Sequence, residues 1–362
     1  MTLETISLSG TAATRGGSLG RARSDALARW LTGWLGSIAR AGVDDPKGHI
    51  ARMLNETAYL HAIESHAPDL LEEIESMARG AELPLELVLA GQLMDEEWEY
   101  RRVALGRPRP GKCTSFAIRD QGSTWIGQNM DLDPFTDGHQ LLLTIAATPA
   151  EPAALVFTVG GMVALMGVNA SGVVVCVNAL PDLPGRPEGL PVAFVIRKLL
   201  QQSSADAADA WLAGVPHATP QHYLIADPTK ICSVEVTMSG FHAAAAADAT
   251  RIFHTNHALA VEADPISPAY RENSLSRLNA LVTRLALGEV TAERATAALA
   301  SRDDPDHPIC RPLRNSSDPA ANTTSFTTGA MVCELDPTGT IRSWFSAGPP
   351  SERGFAAALL KG

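Results

Sequence analysis

Between residues 106 and 112 the chain reads GRPRPGK, with two prolines and two glycines among seven residues. Proline fixes φ and carries no N–H, so this stretch continues neither a helix interior nor a central strand. It predicts an exposed, extended joint. The texture of the sequence differs on its two sides. Upstream, residues 1–105 read as mostly helical: SLGRARSDALARWLTGWLGSIARAG, GHIARMLNETAYLHAIESH and APDLLEEIESMARGA carry apolar residues at helical spacing. Downstream, CTSFAIRD and STWIGQNMDL alternate like strands and form a predicted hairpin turning at Gly122. Further strand-like runs follow, then the helices of LPVAFVIRKLLQQ and SADAADAWLAGV, and a hairpin turning at Asp227–Pro228. RIFHTNHAL is a short strand, RENSLSRLNALVTRLALG and TAERATAALAS are helices, and a last hairpin closes the chain. Helices, then hairpin strands, then helices and strands again predict antiparallel sheets covered by helices, an α+β layered domain.

With 362 residues, 45% of them hydrophobic, the chain has material for a large core. The net charge of -11 and the lack of a Lys/Arg cluster exclude a nucleic-acid footprint. No run of ~18 apolar residues predicts a membrane span. The opening MTLETISLSGTAATRGG lacks the basic head and apolar stretch of a secretory signal, so a cytoplasmic location is expected. Five cysteines stand far apart without a C-x-x-C pair, which speaks against structural zinc or a redox motif. Cys176, Cys232 and Cys333 lie in apolar, strand-like runs and read as core residues.

Cys113 is different, because it opens a strand just past the joint. GRPRPGKCT is close to a phosphate loop, but a thiol stands where the magnesium-binding hydroxyl belongs, and a strand follows instead of a helix. As a metal ligand Cys113 has no partner at ligand spacing. His254 and His257 in HTNH sit in a strand-like run, where such spacing points them to opposite faces. No metal or cofactor is expected. A nucleophile explains more. If the bond between Lys112 and Cys113 is broken, the new α-amine, with a reference pKa near ~8, lies beside its own thiol and can serve as its base. The oxyanion made by thiolate attack needs fixed donors. Asn178 in CVNAL and Asn256 in HTNHAL, each embedded in an apolar strand-like run, are candidates; the alternative is that each caps a turn.

CTSFAI, GQNMDLDP, GVNASGVVVCVNAL, HTNHAL, SLSRL, ICR and the closing SAGPP, in this order, resemble the acyl-CoA:6-aminopenicillanate acyltransferase-like family. That family belongs to the N-terminal-nucleophile (Ntn) hydrolases, beside the choloylglycine hydrolases and penicillin V acylases. The resemblance implies a four-layer αββα sandwich and a precursor that cuts itself before the nucleophile. Residues 1–112 would form a small chain and residues 113–362 a large one, held together non-covalently. It also implies roles: Cys113 as nucleophile, its amine as base, Asp131 as the group orienting that amine, Asn178 and Asn256 as the oxyanion pocket, and Arg277 as the cation near the active carboxylate, with Ser276 a weaker candidate. Two departures stand out. Lys112 precedes the nucleophile where relatives often have Gly, and Gln128 stands where bile-salt and penicillin V hydrolases carry Arg.

The expected activity is hydrolysis of a linear amide through an acyl-cysteine, since water needs no dedicated site. Transfer of the acyl group from an amide or thioester donor to an amine is the alternative. An uncut, non-catalytic homologue binding a small ligand is the alternative of another class. The expected partner is a small-molecule amide or acyl donor, and a homo-oligomer is left open.

Overall fold

The computed structural model describes residues 3–105, 112–263, 267–313 and 325–360. The joint at 106–111 lies outside the described residues. A strand, β1 (Glu4–Leu8), precedes helices α1 (Ala12–Arg40), α2 (Pro46–Glu56), α3 (Tyr59–His66), α4 (Pro68–Ala81), α5 (Leu85–Ala90) and α6 (Met94–Leu105). Strands β2 (Lys112–Asp120), β3 (Ser123–Leu132), β4 (Gln140–Ile145), β5 (Ala154–Val159), β6 (Met166–Asn169) and β7 (Val174–Ala179) follow. Then come α7 (Val192–Leu199), α8 (Ala205–Ala213), β8 (Gln221–Ala226), β9 (Ile231–Thr237), β10 (Gly240–Ala243) and β11 (Arg251–His254). The chain ends with α9 (Pro268–Leu285), α10 (Ala292–Leu299), β12 (Phe326–Leu335), β13 (Ile341–Ser346), α11 (Pro350–Arg353) and β14 (Ala356–Ala358).

The strands form two sheets, one ordered β1-β4-β5-β6-β7-β8-β9-β10 and the other β11-β2-β3-β12-β13-β14. All described pairs are antiparallel except β1 with β4. The sheets pack face to face where β2 meets β7 and β8. Helices α7 and α8 cover the outside of the first sheet, and α9 and α10 the outside of the second. This is the αββα order that the resemblance implies. Strand alternation divides the core between layers. On β2, Phe116 and Ile118 pack outward with Trp125, Leu281 and Leu285, while Cys113 and Ala117 belong to the larger inner core. Cys176, Cys232 and Cys333 are buried there as free thiols.

Three strands escape the sequence reading. β1 lies in a stretch read as helical, and β10 and β14 are short. Each sits at the edge of a sheet, where half the ladder is missing and the sequence signal is correspondingly weak.

The upstream helices are joined to the sandwich by close packing and buried charge. Helix α1 lies against α4 through Gly16 and Gly20; a Cβ there would fall 1.8 Å from the Glu73 carbonyl oxygen and 2.2 Å from that of Met77. Beside this contact Arg15 bridges Glu73 of α4 at 3.0 Å and Glu151, in the turn after β4, at 2.7 Å. Arg197 of α7 stands 3.9 Å from both carboxylates. One buried charge cluster therefore spans the helical block and the sandwich.

Candidate active site

Cys113 is the second residue of β2 and is buried. Its N–H points toward the side where β11 would pair, but β11 ends at His254, opposite Ser115. The chain turns away there, and the Asn256 side chain takes over: its Oδ1 accepts the Cys113 N–H at 2.7 Å. Asn256 is thus two residues past its strand, not embedded in one as the sequence suggests. Its Nδ2 donates to the Ala179 carbonyl at 3.0 Å, tying it to the other sheet.

Arg277 is fully buried and forks across the same point. Nη1 donates to the Cys113 carbonyl at 2.5 Å and to Thr114 Oγ1 at 2.8 Å, and Nη2 donates to Asn256 Oδ1 at 2.8 Å. Its Nε donates to Asn273 Oδ1 at 3.0 Å. Asn273, Ser274 and Arg277 form the buried face of α9, as helical i, i+3, i+4 spacing requires. Ser276 lies off that face and donates to Asp304 at 2.6 Å, away from Cys113. The α9 serine in contact with Asn256 is Ser274, whose Oγ accepts the Asn256 N–H at 2.9 Å.

Asp131 of β3 pairs with Lys112, so both side chains stand on the outer face of the sheet. Thr327, next to the bulge in β12, donates to Asp131 Oδ1 at 2.7 Å, and Arg311 approaches Oδ2 at 3.9 Å. Burial raises the Asp131 carboxyl; Arg311, Arg277 and the Thr327 hydrogen bond oppose the rise. Lys112 enters the same crowd of cations, 5.7 Å from the Tyr270 ring centre. Burial, then Arg311 and Arg277, lower its ammonium from 10.5 to about 7, with Asp131 opposing. The Cys113 thiol is pushed up to about 12, by burial and then by the Asp131 charge. The uncut chain therefore presents a protonated thiol. Its own nitrogen is an amide, which cannot accept that proton.

On the inner side Cys113 Sγ contacts Met130 Sδ at 3.6 Å and faces a mostly apolar pocket walled by Met94, Trp98, Met162, Leu165, Val192 and Ile196, with the hydrogen-bonded pair Asp95 and Gln221 also in its lining. Met94 and Trp98 come from α6, upstream of Lys112. Helix α6 is fixed to the sandwich through Glu96, which accepts the Val192 N–H at 3.0 Å, and Glu99, which accepts the Gly185 N–H at 2.7 Å.

Asn178 of β7 lies beside this pocket, between its lining residues Val177 and Ala179. Its Oδ1 accepts from Ser115 Oγ at 2.6 Å, and its Nδ2 is buried without an acceptor among the described residues. Gln128 has a clear structural part. The β6–β7 ladder stops at Gly167–Val175, leaving Val177 unpaired on that side. Gln128 reaches across from the second sheet, donates to the Val177 carbonyl at 2.5 Å and accepts its N–H at 2.8 Å. An Arg has no acceptor for that N–H.

The sequence reading thus places Cys113, Asn256, Arg277, Asp131 and Lys112 around one strand end, with Asn178 one strand away in the facing sheet. It misses Asn273, Ser274, Thr327 and Met130. Arg311 stands only within the ICR motif, as Met130 does within GQNMDLDP and Ser274 within SLSRL, none of them singled out. His254 contacts Glu235 at 3.0 Å, and His257 contacts Ser274 at 2.8 Å. Among the described residues no group of three His, Cys, Asp or Glu is arranged to hold a metal. Among them, too, no helix is long and apolar enough to cross a membrane.

Comparison with known proteins bears on the same region. Among solved structures the chain is similar to a Caenorhabditis elegans N-acylethanolamine-hydrolyzing acid amidase ortholog, at 16% identity over 61% of this chain and 92% of that one, with a TM-score of 0.43. It is similar to penicillin V acylase from Agrobacterium tumefaciens at 15% identity, over 65% of this chain and 83% of that one, with a TM-score of 0.36. A mutant conjugated bile acid hydrolase from Clostridium perfringens gives 13% identity, over 69% of this chain and 97% of that one, with a TM-score of 0.38. No curated protein matches. A family model matches residues 118–327, more than half of the chain. That span begins just after Cys113 and takes in Asp131, Asn178, Asn256 and Arg277. By this match the chain belongs to the acyl-coenzyme A:6-aminopenicillanic acid acyl-transferase family.

Proposed function

We propose that the protein is a self-processing cysteine amidase that cleaves a linear C–N amide through an acyl-cysteine. The observation that carries this reading is the convergence on Cys113: Asn256 on its nitrogen, Arg277 on its carbonyl and an apolar pocket on its sulfur. A core cysteine needs none of these. Maturation begins with attack of the Cys113 thiol on the Lys112 carbonyl. The C–N bond breaks, a thioester joins Lys112 to the sulfur, and the nitrogen becomes a free amine. Water then hydrolyses the thioester, leaving a Lys112 carboxylate and a free thiol.

In the cut enzyme the amine takes the thiol proton, which burial and Asp131 otherwise hold on sulfur. The thiolate attacks the substrate carbonyl, and the amine passes the proton to the departing nitrogen. Water repeats the sequence on the acyl-cysteine and releases a carboxylic acid. Asn178 and the second N–H of Asn256 Nδ2 serve the oxyanion, each such donor contributing on the order of 3 kcal/mol. Arg277 fixes the strand end and Asn256, and Asp131 steadies the amine. The apolar wall fits an apolar acyl group. Because α6 supplies part of that wall, residues 1–112 stay attached as a working part of the enzyme.

The test is intact-mass measurement under denaturing conditions, paired with an amide panel of varied acyl chains. The wild-type chain is expected as two pieces meeting at Lys112/Cys113, with amide hydrolysis. Cys113→Ala is expected as one inactive piece. A wild-type chain that stays whole and inactive favours the ligand-binding alternative, and a Cys113→Ala chain that still splits sinks the proposal.

A further inference from the structure

Behind Asn178 stands a buried pair of imidazoles that the reading above does not use. His222 of β8 lies opposite Asn178 of β7, and its Nδ1 is 3.1 Å from Asn178 Oδ1. Its other nitrogen, Nε2, lies 2.9 Å from Ser233 Oγ. The ring is stacked on His254, with centroids 3.6 Å apart and planes 7° from parallel. His254 is itself held between Glu235 Oε1 at 3.0 Å and the Thr255 carbonyl at 2.8 Å. The His222 ring therefore cannot swing, and its protonation pattern follows from its neighbours. Asn178 Oδ1 only accepts, so Nδ1 carries the hydrogen and Nε2 accepts from the Ser233 hydroxyl. Ser115 Oγ donates to the same Oδ1 at 2.6 Å.

Two donors on Oδ1 decide which way the amide points. In this orientation Oδ1 holds both contacts, and the buried Nδ2, which has no acceptor among the described residues, faces away from His222. We propose that His222 is a positioning residue of the active site, which together with Ser115 locks the Asn178 amide so that its N–H groups stay turned toward the acyl carbon. This rests on the reading of Cys113 as nucleophile and Asn178 as oxyanion donor. A donor fixed before the reaction needs no reorganisation when charge develops, which is the source of its effect.

The experiment compares His222→Leu, which fills the site but donates nothing, with His222→Asn, whose amide N–H can replace Nδ1–H. His222→Leu is expected to lower kcat about tenfold or more with KM within about threefold, as for a group acting only in the transition state. His222→Asn recovers most of the loss. In an Asn178→Ala background, His222→Leu costs nothing further, because the two act through one interaction. If His222→Leu yields no folded protein, Ser115→Ala carries the same test, with a smaller loss that likewise vanishes in Asn178→Ala. Additive losses, or an unchanged kcat, overturn the inference. Crystal structures separate it from the wider reading: Asn178 turns in His222→Leu and keeps its place in His222→Asn. An unmoved Asn178 in the leucine variant refutes the positioning role even if the enzyme is an amidase. A wild-type protein that hydrolyses no amide refutes the amidase reading, while the Asn178 orientation still decides the role of His222.

Discussion

Lys112 is the residue most out of keeping with its surroundings. Its ammonium is part-buried beside Arg311 and Arg277, with Asp131 opposing them, and its pKa falls from 10.5 to about 7. At about 1.4 kcal/mol for each pH unit, that fall corresponds to a ceiling of ~5 kcal/mol against the folded, uncut chain. Solvent reaches part of the side chain, and screening reduces the figure to ~1–3 kcal/mol. The sign follows from proton counts. Between pH 7 and 10.5 the unfolded chain binds the proton that the folded chain has released, so stability rises with pH across that window and is flat below it. The cost is full at pH 6 and largely gone by pH 10. Replacing Lys112 with Met, similar in shape and uncharged, removes both the cost and its pH dependence. Urea melts of Cys113→Ala and Cys113→Ala/Lys112→Met, each at pH 6 and pH 10, measure the difference within an uncut pair. The double variant is expected to be more stable by ~1–3 kcal/mol at pH 6, with the gap shrinking to a few tenths at pH 10. An equal gap at both pH values, or a less stable double variant at pH 6, refutes the placing of Lys112 among those cations.

Arg277→Met removes four hydrogen bonds from a fully buried fork and leaves Asn256 Oδ1 and the Cys113 carbonyl short of donors; turnover should fall about a hundredfold or more, read by steady-state kinetics, with Arg277→Lys recovering little because it lacks the fork. Arg15→Met leaves Glu73 and Glu151 buried against one remaining arginine, and should cost ~3–5 kcal/mol in urea melts. Trp98→Ala should raise KM for long apolar acyl chains by about tenfold while leaving short ones nearly unchanged, a pattern the amide panel reads directly. Gly16→Val drives a side chain into the Glu73 carbonyl, 1.8 Å from its Cβ, and should lower Tm by about 5 °C or more.

Much of this was legible because the signals were local. The helices of the first hundred residues, the β2–β3 hairpin and the last hairpin each carry their period and turn within a few residues. The charged and amide residues of the site could be named because they stand in recognisable short motifs. What stayed hidden depends on contacts between distant segments. Ser274 and Ser276 differ by less than a turn of helix, and only the packing of α9 shows which one faces Asn256. Gln128 reads as a substitution in a familiar place; its purpose appears only once the short β6–β7 ladder leaves Val177 unpaired. His222 offers no sequence signal, since its partners Asn178, Ser233 and His254 come from three other strands or strand connections. β1 sits in a stretch that reads as mostly helical, and only its parallel pairing with β4 marks it as a strand.

The ends of polypeptides are ordinarily their softest parts, fraying because they have neighbours on one side only. A terminus generated at Cys113 would have the opposite character. β3 holds it along one flank, the Asn256 side chain stands in for a missing strand along the other, and a guanidinium pins the carbonyl beyond. The new amine would be born already stationary, with no search left to make before it meets its thiol.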